Sequence, residues 1–251
     1  MRLPWRDSVR QARHTASVYT RLMVPASRRA LTALLLLVPV PTIGVLAGLW
    51  LWPDTMVGDA TWTVGKIWIL VLPLMWRIGV DRERPRVPPP RRAGMGLAVV
   101  TGLVMAAAVA LAYLLLGPVL IDPEQVSAQA AEAGLDSRGR FLAMALYISF
   151  INALLEEYVW RWFVFSRCRA LVSRSGVAIL LAAACFALHH VLILAAYFDA
   201  VVTVLGTAGI LAAGAIWSWL YLRSGNIWAP YISHVLADIA VFIVAYVMIF
   251  G

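Results

Sequence analysis

Seven apolar stretches, each long enough to cross a lipid bilayer, decide what this chain can fold into. A crossing helix needs about 20 largely apolar residues. The sequence supplies them at Ala30–Trp52, Thr61–Val80, Ala93–Val119, Phe141–Phe165, Val177–Tyr197, Val201–Leu222 and Ile227–Phe250. Within hydrocarbon every backbone N–H and C=O must find a partner inside the protein, and stretches of this length satisfy that as helices. The expected fold is all-α, a polytopic membrane helix bundle of about seven transmembrane helices. A soluble domain is roughly half apolar and a quarter charged. These 251 residues are 62% hydrophobic and only 14% charged, which excludes a soluble enzyme.

The charges between the spans alternate in sign. Arg2, Arg6, Arg10, Arg13, Arg21, Arg28 and Arg29 precede the first span, and Asp54 and Asp59 follow it. Arg82, Arg84, Arg86, Arg91 and Arg92 surround an extended Val87-Pro88-Pro89-Pro90 linker. Asp122, Glu124, Glu132 and Asp136 follow the third span, Arg167, Arg169 and Arg174 the fourth, Asp199 the fifth and Arg223 the sixth. By the positive-inside rule the N-terminus is cytoplasmic and the C-terminus extracytoplasmic, in a bacterial inner (plasma) membrane. The chain divides into a basic cytoplasmic segment (1–29), three N-terminal spans (30–119), an extracytoplasmic loop (120–140) and a four-helix bundle (141–251). Within that loop the run from Glu124 to Glu132 has helix-forming composition and is expected to form a solvated cap.

The net charge of +8 comes from residues flanking spans, with no aromatic stacking platform among them, so no nucleic-acid partner is expected. Membrane lipids are. Cys168 and Cys185 read as apolar fillers, since two cysteines make no disulfide framework. The N-terminus lacks the pattern of a cleaved signal. Trp52, Trp62, Trp217, Trp219 and Trp228 fall near span ends and read as interfacial aromatics; Lys66 and Arg77 are placed to snorkel.

Against this apolar background a few ionisable residues lie deep in the spans, where even the gentlest scale sets a cost of about 2.5–3.5 kcal/mol per charge. The fourth span carries Glu156, Glu157 and Arg161. Glu157 and Arg161 are i and i+4, the spacing that brings side chains together on one helix face. Glu156 points about 100° away around the axis and has no cation of its own on that helix. The fifth span carries His189 and His190, with His190 one turn after Phe186; His189 faces elsewhere and reads as packing. The seventh carries His234 and Asp238, again i and i+4, as in a histidine whose second nitrogen is oriented by a carboxylate. Counted from their helix ends, Glu156, His234 and His190 lie ~14, ~10 and ~20 Å from the cytoplasmic side at 1.5 Å per residue. Convergence in one layer is therefore only approximate.

Glu156-Glu157-x-x-x-Arg161, Phe186-x-x-x-His190 and His234-x-x-x-Asp238, in this order on separate spans, resemble the CPBP intramembrane proteases, which include the type II CAAX prenyl endopeptidases and are also grouped as Abi. Ser224-Gly225-Asn226-Ile227-Trp228-Ala229-Pro230 is similar to that family's approach to its last motif. The resemblance spans about Phe141–Ala240; the first three spans match only in being hydrophobic.

The resemblance implies an intramembrane endopeptidase, with residues 141–251 as its catalytic bundle and a membrane-associated peptide or protein as substrate. Glu156 would be the general base that activates water, and His190 would help hold and polarise that water. His234 and Asp238 would stabilise the oxyanion or orient the scissile carbonyl. An ionised Asp238 is a poor oxyanion donor, so orienting His234 suits it better. Glu157, Arg161 and Phe186 would support the site. Two mechanisms stay open: a glutamic-type peptidase without cofactor, or a zinc metalloprotease with Zn²⁺ held by Glu156, His190 and His234. No span places two histidines one turn apart as zinc helices commonly do, which favours the metal-free route. Two non-enzymatic readings compete, a proton-coupled transporter and an immunity or sorting scaffold. Against the transporter stands the lack of an inverted repeat or matched broken helices. The Arg-rich, Lys-poor loops suggest a GC-rich bacterial genome.

Overall fold

A computed structural model describes residues 26–85, 89–90 and 94–251. The arginines from Arg2 to Arg21, together with Arg86, Arg91, Arg92 and the Val87-Pro88 half of the proline linker, lie outside the described residues. Seven described helices are long and apolar enough to cross a membrane: α1 (Ala26–Leu51), α2 (Met56–Val80), α3 (Met95–Leu120), α5 (Arg138–Leu171), α6 (Ser175–Tyr197), α7 (Ala200–Ser224) and α8 (Trp228–Phe250). A short helix, α4 (Pro123–Glu132), lies between α3 and α5. The protein is an all-α, multi-pass membrane bundle.

Side-chain caps set several helix starts. Thr55, Asp122, Ser137 and Asp199 each accept a hydrogen bond from a backbone N–H of the first turn, at 3.2, 2.9, 3.3 and 2.9 Å, opening α2, α4, α5 and α7. These acceptors satisfy donors that no helix can pair internally. They also explain why helices begin earlier than hydropathy suggests: α2 starts at Met56 rather than Thr61, and α5 at Arg138 rather than Phe141. At its other end α5 runs past Phe165 to Leu171. Arg167 is stabilised there by an ion pair with Asp81 at 2.5 Å and by the face of Phe163.

The most extensive helix pairs are α3 with α8, α6 with α7, and α1 with α2. The second half of α5 runs through the middle and touches α2, α6 and α7. Its Val159, Trp160, Trp162, Phe163, Val164 and Phe165 form the centre of the core. Around them pack Leu34 and Leu37 of α1, Leu72 and Trp76 of α2, Phe186 of α6, and Trp217 and Leu220 of α7. The opposite faces leave large apolar side chains such as Leu35, Leu114, Val119 and Leu180 exposed, as lipid contact requires. Helix α4 sits across one end of the bundle. Ala130 is buried there, Ser127 donates to the Met248 carbonyl at 3.4 Å, and Gln129 donates to the Tyr197 carbonyl at 3.2 Å. The cap is thus tied to the ends of α8 and α6.

Two features of α5 and α8 position the polar residues. First, α5 is not a uniform α-helix: Tyr147–Asn152 and Glu157–Phe165 are wound as wider π turns, and four α-helical residues, Ala153–Glu156, lie between them. Such turns commonly accompany functional sites. The second wide segment is buttressed by α2, where Tyr158 donates to the Leu70 carbonyl at 3.0 Å and Arg77 donates to the Trp162 carbonyl at 3.3 Å. Arg77 also pairs with Glu83 at 2.7 Å and lies over the Trp162 ring, so it clamps two helices rather than snorkelling free. Second, the α7–α8 turn closes over a buried side chain. Gly225 takes the left-handed conformation (φ 66°) that ends α7. The wholly buried Asn226 accepts from the backbone N–H groups of Trp228 and Ala229 at 3.0 and 3.3 Å and donates to the Ser224 carbonyl at 3.1 Å. Helix α8 therefore starts inside the protein, not at its rim.

Candidate active site

The first turns of α8, the middle of α5 and the second half of α6 deliver the ionisable residues to one buried cluster. Counting from Leu171, Glu156 lies roughly 20 Å along α5, and His190 lies about as far from the start of α6 at Ser175. The depth mismatch expected from sequence disappears because α5 is longer than its apolar stretch and α8 begins below the surface.

Glu157 is fully buried, and its Oε1 serves two partners. It accepts from His234 Nδ1 at 2.9 Å and lies 3.2 Å from Arg161 Nη1. An ionised carboxylate only accepts, so the His234 proton on this side must be on Nδ1. The pairing that spacing suggests along α8 is present as well, through the other nitrogen of the ring. Asp238 does not orient His234 through Nδ1; its Oδ1 lies 3.6 Å from the other nitrogen, Nε2. Glu156 Oε2 lies 3.7 Å from the same Nε2. Both separations exceed a good hydrogen bond, so Nε2 faces two carboxylates without being committed to either.

Glu156 is not wholly without a partner on its helix. Asn152, one turn earlier, donates from Nδ2 to Glu156 Oε1 at 2.8 Å. This residue was legible in sequence, because an amide four residues before a buried acid on a membrane helix calls for a partner, and i, i+4 is where one sits. Glu156 and Asp238 keep side-chain exposures of 20% each, whereas His234 has 5% and Glu157 none. The open edge of the cluster is therefore the Glu156–Asp238 edge.

Arg161 is 1% exposed, and its guanidinium N–H groups make no hydrogen bond in this arrangement. Its guanidinium lies 4.7 Å above the Phe186 ring and 5.0 Å above Trp217, held between two aromatic faces. Phe186 is the common neighbour of the site. Its ring centroid is 4.6 Å from that of His190 and 6.5 Å from that of His234. Gly214 of α7 lets α6 approach here, since a Cβ on it would lie 3.2 Å from Phe186 Cδ1. His190 points Nδ1 at the Phe186 carbonyl, 2.9 Å away, and lies close enough to Glu156, His234 and Arg161 to feel their charges. His189 stacks on Trp160, with planes 11° apart, as a packing residue.

Trp217 is buried and stacks on His234, so it belongs to the site and not to the membrane interface where its sequence position put it. Cys168 and Cys185 are free thiols.

Among the described residues no three His, Cys, Asp or Glu side chains are grouped to hold a metal ion.

A polytopic membrane bundle with an acid–imidazole cluster at depth is the class this fold and site define. Within that class, residues 138–240, which run from the start of α5 into α8, match the type II CAAX prenyl endopeptidase Rce1-like family. The family is one of membrane peptidases, and the match begins and ends around the polar cluster. No curated protein and no solved structure matches the chain.

Proposed function

We propose that the protein is an intramembrane endopeptidase that hydrolyses a peptide bond of a membrane-associated peptide or protein, using water activated by Glu156 and no metal. The observation that carries this reading is the meeting of Glu156 with His234 Nε2 at the partly open edge of an otherwise sealed cluster. Each group is fixed from behind, Glu156 by Asn152 and His234 by Glu157. Glu156 takes a proton from water as the water oxygen attacks the scissile carbonyl. Negative charge develops on the carbonyl oxygen, and His234 meets it as an imidazolium, with Nδ1–H on Glu157 and Nε2–H towards the substrate. Asp238 flanks Nε2 and supports that second proton. Glu156 then returns its proton to the amine as the C–N bond breaks. His190 holds the attacking water.

The test uses the purified protein in liposomes with a quenched fluorescent peptide ending in a farnesylated CAAX box, the substrate class the family's description points to. Cleavage that survives exhaustive chelation, with less than stoichiometric zinc by elemental analysis, is the expected result. Activity killed by chelation and restored by Zn²⁺ alone overturns the metal-free route. A protein that cleaves nothing but dissipates a proton gradient in the same liposomes is a carrier.

We also propose that the N-terminus is cytoplasmic and the C-terminus extracytoplasmic in the inner membrane. The support is the alternation of basic and acidic connections between α1 and α8. Reporter fusions after Asp54 and after Pro90 should report opposite sides; a readout on the same side from both would overturn this topology.

A further inference from the structure

One hydrogen bond at Nδ1 does not fix the plane of His234, because the ring can still swing about the bond to Glu157. Its plane is set by a second contact. The ring lies against Trp217 of α7 with centroids 3.8 Å apart and planes 18° from parallel. The indole is itself anchored. Its single polar group is a donor, and Nε1–H donates to Ser233 Oγ at 3.3 Å. Ser233 is fully buried and immediately precedes His234 on α8. Its hydroxyl hydrogen-bonds Thr101 Oγ1 of α3 at 3.1 Å, and Thr101 lies 2.9 Å from the Leu97 carbonyl in its own helix. This contact needs α3 close to α8. Gly102 provides the approach: a Cβ there would lie 2.7 Å from Leu236 Cδ1 and 3.1 Å from the Ser233 Cα. Small residues at helix contacts and hydroxyls bridging helices are the means by which membrane helices associate closely.

We infer that Trp217 is a positioning residue for His234, held by Ser233 and through it by Thr101. Helix α3, outside the family-matched stretch, thereby sets the direction in which His234 Nε2 points. Trp217 and Thr101 touch no reacting atom and act through the imidazole. The inference rests on the hydrolytic reading of His234. Its cost scale follows from geometry, since a displacement of about 1 Å at a reacting group can cost ~10²-fold in rate.

The experiment uses full-length protein in lipid nanodiscs with isotope-labelled histidine. The chain has four histidines, so the ring resonances of His234 are assigned by their loss in His234→Asn. In the wild type they should be displaced upfield by the indole ring current. Trp217→Leu should abolish that displacement and lower kcat on the farnesylated CAAX-box peptide by ~10²-fold, with KM changed less than about twofold. Trp217→Phe restores a flat ring without the anchor and should recover part of both. Thr101→Val removes one hydroxyl on a different helix, and it should shift or split the His234 resonances and lower kcat about tenfold. If Trp217→Leu does not fold, as judged by thermal melting, Trp217→Phe and Thr101→Val decide. Unchanged His234 resonances in Thr101→Val refute the relay through α3, and an unchanged displacement in Trp217→Leu or Trp217→Phe refutes the stack. Failure of the wild type to cleave the peptide counts against the hydrolytic reading, while the resonances still decide the positioning.

Discussion

Glu156→Gln is expected to abolish peptide cleavage while leaving the protein folded and its melting temperature nearly unchanged. The glutamine keeps the shape of the side chain, and its oxygen can still accept from Asn152 Nδ2, which now lies 2.8 Å from Glu156 Oε1. It cannot take a proton from water. General-base catalysis alone is worth about 10²–10⁴-fold, so a loss of only two- or threefold would remove Glu156 from that role. Asn152→Ala provides the graded companion: it frees Glu156 to rotate without removing its charge and should cost less than Glu156→Gln.

The second large effect is on stability. Arg161 and Glu157 are 1% and 0% exposed and lie 3.2 Å apart. Removing one member of such a pair leaves a buried charge without compensation, typically at about 3–5 kcal/mol, whereas replacing both with well-packed neutral residues is often close to neutral. Arg161→Ala should therefore reduce the amount of folded protein recovered from membranes and lower its melting temperature. It also opens a gap between Phe186 and Trp217, where the guanidinium now lies. The double variant Glu157→Gln, Arg161→Met should recover much of that loss, because the new amide oxygen could still accept from His234 and the thioether chain fills the aromatic slot. Arg161→Ala recovered at full yield but without cleavage would instead move Arg161 into the reaction itself.

Hydropathy located all seven spans, because apolar length is what the bilayer demands and these stretches contain little else. It misplaced their ends where polar residues continue a helix. Arg138 and Arg140 follow the Ser137 cap of α5, and Arg167 pairs with Asp81; a helix needs capping there and no longer needs apolar side chains. Spacing along one helix correctly brought Glu157 to Arg161, since both lie on the same face one turn apart. It also brought Asp238 to within 3.6 Å of His234 Nε2, but i, i+4 proximity says nothing about an acceptor arriving from another helix, and Glu157 of α5 takes Nδ1. The wide turns of α5 have no sequence signature in this chain, yet they fix the rotation of Glu157 and Arg161 against their neighbours. Trp217 was misread because its distance from the end of α7 was measured to a surface that the buried Asn226 turn moves outward.

The aromatic jacket of Trp160, Phe186 and Trp217 has a consequence for how the site will respond to acid. It packs around a cluster whose Glu157, Arg161 and His234 side chains are at most 5% exposed. Charges there act on one another over distances at which exposed groups would be independent. Proton binding in that chamber then belongs to the coupled set rather than to any single side chain. A bell-shaped rate profile from this protein would report the proton inventory of the whole chamber. Substituting Asp238, which leaves Glu156 and His234 in place, would move both limbs of the curve together.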